Sequence, residues 1–284
     1  MRWHRAAAVV ALLASAASIG ASQEPPAQPD PAWQTADPIP RRFPRLTDTS
    51  GCRWGLEQDG TLGLSGPSAH PTLPLFRHAA RLSIDDQAFT AKSAATSPDS
   101  TEVRLTGTAG NVPVIRNIWI DRERGAARWC DTVNNATDQP TTVTVKLDTR
   151  FDQPVPGLHR LDGAPLPDSA TEAREGGLAF LQNQPEGMAS AVWLVADPKS
   201  PALPRWRGQK NSEPHSIEWR LDLPARGSAT LVTWIVQRPA LAPDGIKAIA
   251  DAFFRQGRLI RPRLDAPSIA SLANFPARGL APGD

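Results

Sequence analysis

The 284-residue sequence contains no tyrosine, only two cysteines and two methionines, and its charges nearly cancel at a formal net charge of +2. Near-neutrality gives no bulk electrostatic indication of a nucleic-acid-binding protein. Two cysteines make a poor metal site by themselves, and no histidine lies at ligand spacing from either one. After the N-terminal apolar run, no segment is apolar enough to cross a membrane. We therefore predict no nucleic-acid partner, no metal, no cofactor and no transmembrane segment in the mature chain.

Signatures of catalysis are equally scarce. The chain has no Gly-x-Ser-x-Gly motif, and its histidines are isolated from one another. His78 is the best candidate base, because Asp85 and Asp86 lie across a predicted hairpin, although a structural role is the ordinary expectation for it. The carboxylates in the middle of the chain alternate with arginine and threonine, as on a solvated sheet face. They are Asp121, Glu123, Asp131, Asp148 and Asp152. No catalytic residue is predicted.

Proline, glycine and tryptophan are abundant instead, at 29, 20 and nine residues. Many prolines and glycines are typical of a loop-rich β protein rather than a helical one. Tryptophan lines sugar-binding surfaces, and it is also a bulky core residue. The sequence alone leaves both uses open for individual tryptophans.

The first 22 residues have the pattern of a secretory signal peptide. Basic residues precede the apolar run Ala6–Leu13, and small residues follow from Ala14 to Ser22. The apolar run is too short for a bilayer span, which needs about 20 residues. Residues 23–45 carry a proline every few positions, which excludes helix and sheet and predicts an extended linker or arm. We expect an exported protein, in the periplasm or outside the cell.

Residues 112–151 give the clearest structural pattern. Apolar and polar residues alternate in the last part of this stretch, and a period of two places one face of a strand on a core and the other in water. The apolar side consists of Val143, Val145, Leu147 and Phe151. Turn-forming residues at Asp121–Gly125 and Asn134–Pro140 interrupt β-branched and aromatic runs, which is the hairpin signal. We predict three consecutive antiparallel strands here, joined by two tight turns.

Strand patterns recur through the folded part, and helical ones appear only at its end. Residues 189–196 are apolar on both faces, which predicts a central strand covered on both sides. One helical stripe is formed by Ile246, Ile249, Ala250, Phe253 and Phe254. We predict an all-β fold, an antiparallel β-sandwich of the size of a large supersandwich, with a short helical C-terminal tail. The sandwich is assigned to residues 46–240, and the tail with a disordered end to residues 241–284.

Export permits a disulfide, and the two cysteines, Cys52 and Cys130, give the even count that one bridge requires. The bridge would close a long loop and contribute about 4 kcal/mol through chain entropy. It would fix the first strand of the domain to the central hairpin. We therefore predict a Cys52–Cys130 disulfide, with two separate buried thiols as the alternative.

A further signal is carried by the segments VPVIRNIWID with AARWCDTVNNAT, TVTVKLDTRF, EWRLDLPARGSATLVTWIVQ and SIASLANF. In pattern they resemble a family of exported bacterial β-sandwich domains found in multidomain surface proteins. The resemblance covers Cys52 to Phe275; it implies a β-sandwich and brings no catalytic motif or site residue. The layout is also similar in outline to the large sandwiches of sugar mutarotases and of accessory domains in polysaccharide-degrading enzymes, whose acid/base pairs have no match here.

Tryptophans provide the candidate ligand-binding residues. Trp206 lies between Arg205 and Arg207 on a long predicted loop, where a flat apolar face is flanked by donors. Trp119 and Trp129 fall on facing strands of the central hairpin and would form a platform, with core packing as their alternative. Carbohydrate binding is therefore the functional hypothesis that these residues favour.

The function predicted from the sequence is an exported non-catalytic binding or structural module whose partner is a glycan or another cell-envelope component. One alternative is a carbohydrate-active enzyme of the mutarotase or polysaccharide-lyase type. Another is a subunit that docks a partner and exposes Phe253 and Phe254 as an apolar patch. The ligand and the oligomeric state do not follow from the sequence.

Overall fold

The computed structural model describes residues 33–63, 65–67, 74–167, 172–181, 189–198, 200, 203–208, 214–255 and 266–275. The predicted signal peptide and the first part of the proline-rich arm lie outside the described residues. In the described part of the chain strands dominate, helices occur only near the C-terminal end, and no helix is both long and apolar enough to span a membrane. The predicted all-β fold with a short helical C-terminal tail is confirmed.

The elements follow one another in chain order. The strands are β1 (Gln34–Ala36), β2 (Leu46–Thr47), β3 (Cys52–Trp54), β4 (Gly66–Pro67), β5 (Phe76–Ile84), β6 (Gln87–Thr96), β7 (Glu102–Ala109), β8 (Val112–Asp121), β9 (Ala126–Asn134), β10 (Thr141–Phe151), β11 (Gly157–Arg160), β12 (Glu172–Arg174), β13 (Gly177–Leu181), β14 (Ser190–Leu194), β15 (Arg205–Arg207), β16 (His215–Leu223) and β17 (Ser228–Arg238). The helices are α1 (Pro243–Arg255) and α2 (Ala266–Ala270).

Most of the strands belong to one 14-stranded antiparallel sheet, and β2, β3 and β4 form a separate small sheet. The large sheet folds over between β5 and β6, where only Ser83↔Ala88 and Ile84↔Gln87 are paired. We call the two parts the long half and the short half. The long half has the order β11-β13-β14-β17-β9-β8-β7-β6, with β1 paired to β6, and the short half has the order β5-β10-β16-β15-β12.

The two halves face each other across one apolar core. Leu105, Ile118 and Trp129 come from the long half and Val145 and Trp219 from the short half, and each is at most 2% exposed. The predicted apolar side of β10, with Val143, Val145, Leu147 and Phe151, is buried in this core. The predicted central strand is also confirmed, because β14 is buried along its whole length between β13 and β17. Alternation and doubly apolar runs in the sequence therefore predict these strands correctly.

The predicted arrangement of three consecutive paired strands is wrong at its third member. β8 and β9 form the expected hairpin, with Gly125 at φ 56° in the turn. β10 pairs with β5 and β16 in the short half, and β17 occupies the other edge of β9. The loop before β10 crosses from one half to the other, and the Asn135 amide fixes it by donating to the carbonyls of Gln139 and Pro224.

Helices α1 and α2 cover the outer face of the long half. Val232 and Trp234 of β17 form a second core there with Ile246, Ala250 and Phe253 of α1. Phe253 is 6% exposed, and its ring centroid lies 5.2 Å from that of Trp234. The predicted helical stripe therefore packs inward, and Phe253 does not provide an exposed apolar patch for docking a partner.

Part of the proline-rich arm joins the sheet. β1 pairs with residues 94–96 of β6, and the Arg104 guanidinium carbon lies 4.6 Å from the centroid of the Trp33 ring. The expectation that this arm excludes sheet is wrong at Gln34–Ala36. No proline falls inside that segment, so its backbone N–H groups are available for pairing.

Cys52 and Cys130 do not form the predicted disulfide, and both are buried thiols. Side chains alternate along β9, so that Trp129 points between the two halves and Cys130 points into the second core beneath α1. Cys52 belongs to the core between the halves. The long half of the sheet therefore separates the two sulfur atoms, and the alternative of two separate thiols is the correct one.

Candidate binding cleft

The candidate site begins with an irregularity in β5. Asp148 of β10 lies opposite Arg81 and Arg150 lies opposite His78, so three steps along β5 match two along β10. This is a β-bulge, which redirects side chains and is common beside functional sites. Ala80 within the bulge has φ 55°, a conformation that costs a non-glycine residue about 1 kcal/mol or more. Strain of this kind concentrates at functional sites, which makes the surface that the bulge faces the candidate site.

The turn Glu57–Gly60 forms the opposite wall. Gly60 has φ 73°, and a Cβ atom there would lie 2.9 Å from Cδ1 of Ile118, so only glycine fits between the turn and the core. The chain then bonds directly to the bulged strand, because Leu62 and Ala79 exchange backbone hydrogen bonds of 2.8 and 2.9 Å. The two walls are therefore joined at their base.

A buried ion pair lies beneath both walls. Arg116 Nε is 3.1 Å from Asp131 Oδ1, and the two side chains are 0% and 2% exposed. Arg116 also donates to the carbonyl of Ala80 at 2.6 Å and to that of Asp59 at 3.4 Å. Burial lowers the pKa of Arg116 and raises the pKa of Asp131, and the charge of each partner opposes the shift in the other. One guanidinium thus ties the bulge to the turn.

The position of Asp131 corrects the prediction of a solvated carboxylate row. Asp131 faces inward because it is two residues from Trp129 on β9, and both side chains point between the halves. Asp121 is also buried, at 4% exposure, and its carboxylate accepts hydrogen bonds from the backbone and side chain of Arg124. Glu123, in contrast, is exposed as predicted.

An open cleft of about 520 Å³ lies between the two walls. Charged and hydrogen-bonding side chains dominate its lining. They are Arg41, Arg42, Glu57, Gln58, Asp59, Thr61, Arg77, His78, Arg81 and Thr90. Within the described residues, no group of three or more His, Cys, Asp or Glu side chains is placed to hold a metal ion. The lining is therefore suited to hydrogen bonding and ion pairing with an organic ligand.

The two carboxylates of the cleft are already engaged. Glu57 lies 3.1 Å from Arg42 Nε, and Asp59 Oδ1 accepts a hydrogen bond from the Thr61 backbone at 2.9 Å. Arg77 is paired with Asp152 at 3.2 Å on the outer side of the cleft. These contacts are partly exposed, so each contributes little to stability and can be exchanged for contacts with a ligand.

His78 is the histidine among the described residues that line the cleft. Burial lowers its pKa from the ordinary value, and repulsion by Arg81 and Arg150 adds to the effect, while Asp148 and Asp59 oppose it. The imidazole is therefore neutral at pH 7. Asp85 and Asp86, which were predicted to lie beside His78, make other contacts. The Asp85 carboxylate accepts a hydrogen bond from the Thr144 backbone at 2.8 Å, and Asp86 forms an ion pair with Lys146 at 3.5 Å.

The tryptophans predicted to bind a ligand occupy other places. Trp206 is 2% exposed and stacks on His215, with ring centroids 5.7 Å apart, and Trp129 is fully buried and donates to the Gly60 carbonyl at 2.8 Å. Trp119 is partly buried on the outer face of the long half, against Trp234. Trp119 and Trp129 therefore lie on opposite faces of one sheet, and they do not form a platform.

The arginines beside Trp206 are exposed, but they flank a buried ring. Arg207 lies 3.2 Å from Glu218 on the neighbouring strand β16, and Arg205 is exposed on β15. Because β15 is a short strand rather than a loop, Trp206 turns inward and its two neighbours turn outward. Neither arginine lines the cleft.

Arg41, Arg42 and Arg81 were not among the residues singled out from the sequence. Arg41 and Arg42 belong to the proline-rich arm, and their approach to the turn depends on hydrogen bonds from Gln58 N to Arg41 O and from Phe43 N to Leu56 O. Arg81 lies in an ordinary-looking strand whose bulge has no signature in the alternation. The basic pair inside the arm is the one feature of the sequence that could have drawn attention to this region.

No known protein family and no curated protein matches the sequence. Solved structures give weak likenesses at low identity. A protein described as a kojibiose phosphorylase from the human microbiome is 12% identical over 79% of this chain and 28% of its own, with a TM-score of 0.40. A galactose mutarotase-like protein from Lactobacillus casei is 10% identical over 69% of this chain and 100% of its own, with a TM-score of 0.40.

An α-N-acetylgalactosaminidase from Bifidobacterium bifidum is similar at 14% identity over 76% of this chain and 40% of its own, with a TM-score of 0.45. The chain therefore spans well under half of the length of the phosphorylase and of this enzyme. At such overlap and identity these likenesses carry no functional argument.

Proposed function

We propose that this protein is an exported, non-catalytic module that binds a glycan in the cleft between β5 and the Glu57–Gly60 turn. The observation that carries the proposal is the mixed lining, in which guanidinium and amide donors stand beside carboxylate acceptors in one open cleft. A sugar hydroxyl both donates and accepts hydrogen bonds, so a site for it needs both kinds of group. The cleft volume falls within the range of about 300–1,000 Å³ for ligand sites.

One observation favours binding over catalysis, and a second supports export. The two carboxylates of the cleft, Glu57 and Asp59, are engaged by Arg42 and by the Thr61 backbone, and they do not stand as a free pair for acid and base catalysis. The N-terminal pattern of residues 1–22 supports export to the periplasm or the cell surface, where glycans are available.

The test is a glycan-array screen of the purified exported protein, with a double variant that carries Arg41→Ala and Arg81→Ala. We expect binding to at least one polysaccharide, weakened by about tenfold in the double variant because two donors are lost. The matched control is Arg220→Ala, which removes an exposed guanidinium from β16 outside the cleft. Absence of binding to every glycan, or an equal loss in the control, would exclude the proposal.

A second candidate, a carbohydrate-active enzyme of the mutarotase or lyase type, is favoured by His78. A neutral imidazole at pH 7 beside arginines is suited to take a proton from a sugar carbon or hydroxyl. The check is to incubate the glycans that bind with the wild type and with His78→Gln, and to follow anomer exchange by NMR and unsaturated products by absorbance. Turnover that His78→Gln abolishes, without loss of binding, would replace the binding module by the enzyme.

A further inference from the structure

The cleft carries more positive than negative charge. Four guanidinium groups, from Arg41, Arg42, Arg77 and Arg81, face the two carboxylates of Glu57 and Asp59. Arg42 and Arg77 have carboxylate partners. In the described part of the chain Arg41 and Arg81 make no ion pair, and both are exposed. Two guanidinium groups are therefore available to a ligand at opposite walls of the cleft.

The position of Arg81 is associated with backbone strain and with electrostatic repulsion. Arg81 follows directly on Ala80, whose left-handed conformation is strained, and its charge disfavours protonation of His78 across the bulge. A regular strand without the extra residue would place Arg81 in a different register against β10. Strain and like charge together at one place are typical of a functional site rather than of a solvated surface.

We propose that the cleft recognises the acidic groups of an anionic polysaccharide, a proposal that rests on the glycan-binding function above. Arg41 and Arg81 bind carboxylate or sulfate oxygens along the polysaccharide chain. A guanidinium presents a planar fork of donors that matches these anions in a bidentate way. The carboxylates of Glu57 and Asp59 remain to accept from the sugar hydroxyls, which gives an acidic sugar a partner for each of its functional groups.

A single-stranded nucleic acid is the other polyanion to consider, and the cleft is less suited to it. Such ligands stack their bases on exposed aromatic rings. Among the described residues that line the cleft, the aromatic one is Phe89, which is only 4% exposed and belongs to the core. The formal net charge of +2 also gives no bulk electrostatic indication of a nucleic-acid-binding protein. We therefore assign the cleft to acidic sugars and treat the oligonucleotide as a test case.

The experiment compares charged ligands with neutral ligands of the same backbone. Isothermal titration of the exported protein would use oligogalacturonate against its methyl ester for the carboxylate, and dextran sulfate against dextran for the sulfate. We expect at least one anionic member to bind about tenfold more tightly than its neutral counterpart. Its affinity should fall as salt rises from about 0.05 M to about 0.5 M, because screening weakens exposed ion pairs.

Variants test whether Arg41 and Arg81 cause the preference for anionic ligands. Arg41→Ala with Arg81→Ala should remove most of it, Arg81→Lys should keep part of it because the charge remains without the planar fork, and Arg220→Ala should leave it unchanged. Circular dichroism confirms that each variant is folded. Equal affinity for charged and neutral ligands, or tighter binding of an oligothymidylate, would overturn the inference while a glycan-binding function stands. Absence of binding to any glycan would overturn both.

Discussion

Arg116 is the residue on which the two walls of the cleft depend. Its guanidinium pairs with Asp131 and reaches the carbonyls of Ala80 and Asp59, which belong to the bulge and the turn. A buried ion pair contributes little net stability compared with apolar packing, but removal of one partner leaves an uncompensated charge in a medium of low dielectric constant. The pair therefore acts mainly as a positional constraint on the cleft.

The corresponding prediction concerns Asp131→Asn, which neutralises one partner without changing its size. We expect the free energy of unfolding to fall by about 3 kcal/mol, because the Arg116 guanidinium then stays buried without a counter-ion. Denaturation in urea would measure the change.

The control is Asp138→Asn, which breaks the exposed pair with Arg226, at 79% and 64% exposure of the two side chains, and should cost less than about 1 kcal/mol. A double replacement, Arg116→Met with Asp131→Leu, should be less destabilising than Asp131→Asn alone. Similar losses for Asp131→Asn and Asp138→Asn would contradict the buried position of the pair.

At the scale of elements, the cleft is made by irregular pieces of otherwise regular strands. The alternation in β10 and β16 and the apolar run of β14 follow from which face each residue buries, and they are predictable from the sequence for that reason. The bulge at Ala80 was not predictable, because an alanine in a left-handed conformation leaves no mark on the apolar pattern. The burial of the candidate tryptophans was not predictable for a related reason, since sequence does not tell a buried ring from an exposed one.

The turn that forms one wall supplies a prediction at this scale. Gly60→Ala should lower the free energy of unfolding by about 2 kcal/mol or more, because φ 73° disfavours alanine and the added Cβ meets Ile118 at 2.9 Å and Leu105 at 3.0 Å. Thermal unfolding followed by circular dichroism would show this as a lower Tm.

Gly110→Ala provides the matched control. Its φ is also positive, at 56°, but the nearest atom to the new Cβ is Cγ of Gln87 at 3.1 Å, and this side chain is exposed and can move away. This variant should lose only about 1 kcal/mol. Equal losses at the two glycines would mean that the Glu57–Gly60 turn is not inserted against the core.

At the scale of the whole molecule, the long half of the sheet is a wall between two cores. Cys52 lies in the core between the halves and Cys130 in the core under the helices, so a bond between them would require the sheet to open. Burial raises the pKa of the Cys52 thiol to about 11, which leaves almost no reactive thiolate at pH 8. The prediction of a disulfide was wrong because neither an even cysteine count nor the predicted export indicates which face of a strand each cysteine occupies.

We therefore expect the protein to keep two thiols per chain. A thiol-specific reagent at pH 8 should react slowly with the folded protein and should detect both thiols after unfolding without reductant. Cys52→Ser should reduce the count to one, and dithiothreitol should leave the Tm of the wild type unchanged. Failure to detect any thiol in the unreduced, unfolded protein would contradict this architecture.

The exposed residues that line the cleft and the buried residues beneath it differ in how well they tolerate substitution. Arg41 and Arg81 stand in solvent, while the groups that hold the backbone beneath them, Arg116 and Asp131, are sealed inside. Substitutions of Arg41 and Arg81 should therefore change the proposed ligand selectivity with little effect on folding, because exposed positions tolerate replacement with little loss of stability. A designer who wished to redirect the proposed polysaccharide binding would replace Arg41 and Arg81 and keep Arg116 and Asp131.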